Sequence, residues 1–433
     1  MAEVRPFRGV RYDNGLAGGL ERLLCPPYDV ISPEEQQALL GRSPYNMVRL
    51  ELAREQPPED EVYRQAGVIF RQWREIGVLG RDRAPAMYVV RQSFTHGAGV
   101  RERLTILACV RLEPFGTSVL PHERTSEGPK RDRLALMEAS GANFSPLMAL
   151  YRDSTGRLSS FLQEVLSHSP DDGCSLPDGQ ELALWVSQDP ALTDMVTEAL
   201  AGSPLYLADG HHRYETALWY RQRVRSMAIL SAETGTEAYS FVMMGLISLD
   251  DPGLLVLPYH RLVGRLAPPA FTRLRERLRE VFRLEATTAT GPEGLAAEVE
   301  ERSRKAMTLG LLGPGGEGPY LLVLQDPAQV RRLAPSGPAQ VLAGVAPWVL
   351  HEAVLRPVLG EAVEEHVSYV HDAAEVWQRS RTAKAQLAFL LPGLSPILFE
   401  AVVAAGQRLP PKSTYFHPKL PSGLVINPLD GML

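Results

Sequence analysis

The stretch SPLYLADGHHRYETALWY, residues 203–220, runs from apolar residues through Asp209-Gly210-His211-His212-Arg213 into a helical pattern. A helix start carries partial positive charge and unpaired backbone N–H groups, so two imidazoles and a guanidinium there are electrostatically mismatched. An anion resolves the mismatch. Asp209 suits a cap on the turn, and Gly210 would let a bulky anion approach the backbone. A phosphate satisfies both conditions. The plainer reading is an Asp-Gly turn followed by an amphipathic helix bearing Tyr214, Ala217, Leu218 and Arg221. It accounts for the helix, but not for a strand, a turn and His-His-Arg packed into a few positions.

A second constellation lies in SVLPHERTSEGPKRDRLALMEASGANFSPLMALY, where Glu123 sits between His122 and Arg124, with Lys130, Arg131 and Arg133 just downstream. Neighbouring cations keep a carboxylate ionised, and in a phosphate-rich site such a group can act as a general base. A charged surface loop is the alternative. The third is PPKSTYFHPKLPSGLVINPL, residues 410–429, whose aromatics and apolar Leu424, Val425 and Ile426 argue against a disordered tail. Lys412, Ser413 and Thr414 there suit phosphate or carboxylate groups. The chain holds 45 basic residues but only five lysines, at 130, 305, 384, 412 and 419, and three of these fall in the stretches just quoted. Compact ammonium groups are used at phosphate sites in this way. In CPPYDVIS and SPYNMVRLEL, Tyr28, Asp29, Asn46 and Arg49 could line a cleft, but Pro26-Pro27 fixes a turn that the Asp can satisfy locally, so they read as architectural.

Strand patterns at 86–94, 105–113, 145–151, 181–187, 203–208, 241–249, 320–325 and 386–391 would carry these residues, together with helical patterns at 33–40, 59–76, 211–227, 269–281, 292–305, 348–359 and 396–407. Strands and helices are mixed without strict alternation. That predicts an α/β fold of the mixed, α+β kind, not a doubly wound dinucleotide domain. A boundary falls near residue 265, where LLVLPYHRLVGRLAPP closes a strand-rich region, giving expected parts 1–264, 265–385 and 386–433.

Several motifs fail on inspection. GPGGEG, residues 313–318, matches a nucleotide-loop pattern literally but has strand-like flanks and no following helix, so it reads as a hairpin turn. His351-Glu352 lacks a second histidine, since Leu355 stands in its place. His260 and Arg261 read as strand-end residues. Cys25, Cys109 and Cys174 are scattered, and no set of residues has zinc-site spacing. A net charge of −6 argues against broad capture of nucleic acid, and no run approaches the roughly 18 apolar residues of a membrane span. The expectation is a cytoplasmic protein with no nucleic-acid or membrane partner; its oligomeric state is not readable.

The motif DGHHRYETA resembles the helix-start motif of the ParB/sulfiredoxin superfamily, whose members hold nucleotide phosphates at that turn. Within it the chain is similar to the ADP-dependent free serine kinases, which carry DGHHR at the same junction. The whole chain also resembles the DUF1015 family, through RPFRGVRYD, CPPYDVISPEE, SPYNMVRLEL, VLPHERT and PKSTYFHPKLPSGLVINPL. The resemblance implies a ParB/sulfiredoxin-like nucleotide-binding core with an additional C-terminal α/β region. It also implies a phosphotransferase moving a phosphoryl group between ADP or ATP and a small hydroxylated metabolite such as serine. A Pro-His-Glu precedes DGHHR in the kinases and supplies their base, so Glu123 takes that role here, flanked by His122 and Arg124. Asp209, Gly210, His211, His212, Arg213 and Lys130 would hold the nucleotide phosphates. Magnesium would be held through the phosphates and Asp209. Lys412, Ser413, Thr414, Tyr415, Phe416 and His417 would hold the substrate. The kinases continue Arg-His after Pro-Lys-Thr-Thr, where this chain has Tyr415 and Phe416. Two further readings use the same residues: a nucleotide-binding regulatory module without turnover, and removal of phosphate from phosphoserine.

Overall fold

A computed structural model describes the chain except for residues 53–58, 98, 228–233, 315–316 and 383–384; Lys384 and the tip of the 313–318 turn therefore lie outside the described residues. The chain forms two compact units: Met1–Leu254 with Pro418–Leu433, and Leu255–His417. Contacts thus divide it near residue 254 and again at 418, whereas composition suggested lines at 265 and 386.

The first unit is built on a nine-stranded mixed sheet. In chain order its strands are β1 (Val4–Arg5), β2 (Met87–His96), β3 (Gly99–Arg111), β4 (Val119–Pro121), β5 (Leu147–Tyr151), β6 (Asp172–Ser175), β7 (Glu181–Ser187), β8 (Leu205–Asp209) and β9 (Phe241–Ser248). They lie in the order β4-β8-β5-β9-β3-β2-β7-β6, with β1 paired to β3. The pairs β8–β4 and β9–β5 are parallel and the other pairs antiparallel. Period-2 alternation sends Val89, Ile106, Ala108, Val242, Met244, Leu205 and Leu207 into one core, where they meet Leu158 and Leu162, Leu192 and Val196, and Tyr214 and Ala217 from three helices. The mixed α/β class read from the sequence is the one observed.

Two helices of this unit position the site. The first, α1 (Glu127–Ser140), ends where Gly141 takes a left-handed φ of 62° and its N–H returns to the Met137 carbonyl. The second, α2 (His211–Met227), begins directly after β8.

The second unit has a six-stranded, wholly antiparallel sheet in the order Phe282–Ala286, Tyr320–Leu324, Thr308–Leu312, Leu387–Leu390, His260–Val263, Val367–Val370. Leu295, Val299 and Val376 pack from helices onto Leu262, Leu312, Leu321, Ala388 and Leu390. Residues 308–312 and 320–324 form the hairpin read at GPGGEG, closed by the Gly313 amide donating to the Glu317 carbonyl at 2.7 Å.

Candidate functional site

The junction between β8 and α2 depends on Gly210. Its φ is +91°, and an added Cβ would lie 2.9 Å from Leu147 Cγ and 3.1 Å from Arg213 Nη2. The missing side chain therefore serves the backbone conformation and the packing behind the turn. The Gly210 carbonyl accepts the first helical bond from Tyr214 N, at 2.9 Å.

The two histidines that open α2 bracket the segment 122–126. The His122 amide donates to His211 Nε2 at 3.2 Å, and the Ser126 amide donates to His212 Nε2 at 3.1 Å. A ring nitrogen that accepts must be unprotonated, so each ring donates only through Nδ1. His122 Nδ1 faces the Leu207 carbonyl at 2.7 Å and so donates to it. The rings of His122 and His211 meet edge to face at 4.5 Å. Imidazoles at this helix start therefore act as neutral acceptors, and that removes the electrostatic mismatch apparent in the sequence.

Glu123, half-buried, completes the cluster: one carboxylate oxygen and one ring nitrogen each from His122 and His211 lie within 4.8 Å of one another. Arg124 is exposed. Lys130 Nζ lies 3.0 Å from Glu215 Oε2 and 4.6 Å from the centre of the Trp219 ring, and Glu215 also accepts from the Thr125 hydroxyl. Residues 122–126, 130 and 209–215, far apart in the sequence, thus converge where β4 and β8 end side by side.

Behind the turn lies a charged network. Arg213 donates from Nη1 to Ser145 Oγ at 2.8 Å and to the Pro146 carbonyl at 2.9 Å, and from Nη2 to Asp209 Oδ2 at 2.7 Å. Lys419 Nζ sits 2.9 Å from Asp209 Oδ1 and 2.6 Å from Asp29 Oδ2. Ser145 Oγ donates onward to Glu51 Oε1 at 3.1 Å. Burial alone would raise the Asp209 pKa, but Lys419 and Arg213 outweigh it and hold the carboxyl well below the usual range. Burial likewise works against the Lys419 ammonium, which Asp209 and Asp29 restore and carry above its ordinary value.

Both Asp209 oxygens are therefore engaged by cations, so Asp209 does not fit the part of a magnesium ligand without giving up Lys419 or Arg213. Its carboxylate reaches Arg213 in the first turn of α2 and Lys419 in the C-terminal segment. The set His122, Glu123 and His211 is no better suited to magnesium, which takes oxygen ligands. A softer ion coordinating His211 through Nε2 would have to displace the His122 amide.

Lys419 and Asp29 are the site residues that sequence reasoning passed over. The signal was present in the retention of a lysine at 419 in an arginine-rich chain. Asp29 had been set aside with Tyr28, whose ring carries the Arg133 guanidinium at 4.1 Å. Asn46 is architectural, donating to the Arg22 carbonyl at 2.7 Å, as is Arg49, donating to the Leu40 carbonyl at 2.8 Å.

Residues 412–417 belong to the second unit. Strand Tyr415–His417 pairs antiparallel with Leu255–Leu257, and Ser413 Oγ donates to the Pro410 carbonyl at 2.6 Å. Tyr415 lies 4.5 Å from His371 and 5.6 Å from Tyr259, ring centre to ring centre. Lys412 takes a left-handed φ of 53° and reaches over Tyr259 at 5.4 Å. Phe416 is buried against Phe399. Thr414 is half-buried beside them.

A protein-family model described as "Protein of unknown function (DUF1015)" matches residues 4–342. The chain belongs to that family. No curated protein matches it. Among solved structures it is similar to a free serine kinase in complex with AMP, at 14% identity and TM-score 0.32, over 69% of this chain and 83% of that one. It is also similar to a conserved hypothetical protein from Pyrococcus furiosus, at 14% identity and TM-score 0.33, over 70% of this chain and 90% of that one. SbnI from Staphylococcus aureus, truncated at its C-terminus, is similar at 10% identity and TM-score 0.34, over 72% of this chain and 84% of that one. Scores this low carry no argument about function.

Proposed function

We propose that this protein is a phosphotransferase that moves a phosphoryl group between ADP or ATP and a small hydroxylated metabolite such as serine. The observation that supports it most is the convergence of the Glu123 carboxylate and the His211 ring, within 4.8 Å, at the start of the helix that follows Gly210. In this reading the nucleotide phosphates lie against the turn from Asp209 to Arg213, with Mg2+ carried by the phosphates. Glu123 takes the proton from the substrate hydroxyl as its oxygen bonds to phosphorus, and the bond from phosphorus to the AMP or ADP leaving group breaks in line. Lys130, His211 and His212 line the path of the developing charge, with His122 and Arg124 beside the base.

Arg213 and Lys419 have a different part. Their hydrogen bonds run to Ser145, Pro146, Asp209 and Asp29, so they fasten the turn from behind.

The test is direct. Purified protein is incubated with ADP or ATP, magnesium chloride and a panel of hydroxy amino acids and hydroxy acids, and products are read by mass spectrometry. A phosphorylated product is expected for at least one substrate. Nucleotide binding without any product would instead favour a regulatory module, and release of phosphate from phosphoserine would favour the reverse use of the same residues.

A further inference from the structure

Among the described residues Arg103 is the largest fully buried side chain, with no exposed surface. It lies on β3 opposite Gln92 of β2. Its Nη2 donates to Gln92 Oε1, whereas Nε and Nη1 have no hydrogen-bond partner among the described residues. Those two nitrogens carry three of the five N–H donors of a guanidinium. The nearby carboxylate, Asp251, is committed to backbone amides, accepting from Leu104 at 3.0 Å and Gly253 at 2.8 Å.

The environment is polar beyond the arginine. Thr105, two residues along β3 and so on the same face of the sheet, is also fully buried, and its Oγ1 likewise has no partner among the described residues. Gln92 Nε2 turns to the Lys419 carbonyl at 3.3 Å and to Gln180 Oε1 at 3.4 Å. Buried polar groups are normally satisfied, and an uncompensated buried cation is among the costliest exceptions. Asp251 lies near enough to favour the Arg103 charge, yet Nε and Nη1 of the guanidinium and the Thr105 hydroxyl on the same face lack a hydrogen-bond partner among the described residues, a donor set that an anionic acceptor would satisfy. Residues 99–102, which precede Arg103 on β3 and pair with residues 93–96 of β2, are exposed, so Arg103 is the first buried residue of its strand.

We propose that Arg103, with Thr105 and Gln92, forms a binding site for a small oxyanion, a carboxylate or phosphate group, on this face of the first unit's sheet. The guanidinium donates through Nε and Nη1 to the anion's oxygens, and Thr105 Oγ1 adds a hydroxyl donor. The site goes beyond the phosphotransferase reading and stands whether or not Glu123 is a base. It lies one residue's backbone away from the Asp29–Lys419–Asp209 network, through the Gln92 contact to the Lys419 carbonyl.

The experiment titrates the full chain, without nucleotide, with sodium acetate and separately with inorganic phosphate. Sodium chloride at matched ionic strength serves as reference, and binding is read by calorimetry and by the thermal midpoint. The proposal expects saturable binding of acetate, phosphate or both, with a midpoint above the chloride reference. Acetate alone would define a carboxylate site and phosphate alone a phosphate site. Affinity should fall at least about tenfold in Arg103→Met and about two- to tenfold in Thr105→Val. Thr105→Val removes one hydroxyl only, so it carries the test should Arg103→Met fail to fold. No oxyanion effect beyond that of chloride, or equal affinity in wild type and Thr105→Val, would overturn the proposal.

Discussion

Lys419 ties together residues that are 390 positions apart in sequence, with Asp29 at one end of the chain and itself near the other. A compact ammonium can bridge two carboxylates from one point, which a planar guanidinium cannot do in the same space. Its side chain is 8% exposed and that of Asp209 is 22% exposed. Lys419→Met leaves Asp209 with Arg213 alone and Asp29 without this cation, so it should cost about 1–3 kcal/mol in urea unfolding. The pH dependence follows from the two shifts. The folded-state pKa of Asp209 is lowered, so its contribution is present above the unfolded value of about 4 and is lost as pH falls through the lower folded value. That of Lys419 is raised, so its contribution is present below about 10.4 and is lost as pH rises beyond. Asp209→Asn should therefore flatten the acid limb of the stability profile, measured as urea midpoints between about pH 2 and 5.

At the scale of elements, the junction of β8 with α2 was the most legible part of the chain. The strand was read at 203–208 and is observed at Leu205–Asp209, and the helix is observed over the residues expected, His211–Met227. A sharp change from apolar run to Asp-Gly to 3.6-residue periodicity marks both ends of the turn. What the histidines do there was not legible, because their acceptors' partners, the amides of His122 and Ser126, are more than 80 residues away. The helix Glu127–Ser140 was passed over as a charged stretch. Its buried side includes Arg133 beside Leu136 and Met137, and a buried cation breaks the apolar periodicity that signals a helix. Two predictions belong here. Gly210→Ala combines a left-handed φ with a Cβ 2.9 Å from Leu147, so it should destabilise the fold by about 1–3 kcal/mol in thermal denaturation. His212→Ala removes the acceptor of the Ser126 amide and should speed exchange of that amide in hydrogen-exchange NMR, with the α2 amides beyond the first turn unchanged.

At the scale of the whole molecule, the chain leaves the first unit at Leu254 and returns at Pro418. The last 16 residues are an integral part of that unit. Ile426 exchanges backbone hydrogen bonds with Val10 at 2.8 and 2.9 Å, Asn427–Pro428 pairs with Ala142–Asn143, and Ser422 bridges to Cys25. Truncation after His417 should abolish cooperative unfolding of the first unit, read by near-ultraviolet circular dichroism, because it removes these pairings and Lys419 at once. Composition could place strands and helices, but it could not show that two distant segments complete one unit. Among the described residues no single helix is long and apolar enough to cross a membrane.

The central claim is that Glu123 abstracts a proton during phosphoryl transfer beside the turn that begins α2. Its most direct test is the turnover of Glu123→Gln against wild type on the best substrate of the panel, with ADP and ATP affinities measured on the same preparations. The account predicts a rate loss of about a hundred- to ten-thousandfold with nucleotide affinity changed no more than a few fold. A variant that keeps more than half of the wild-type rate would contradict it.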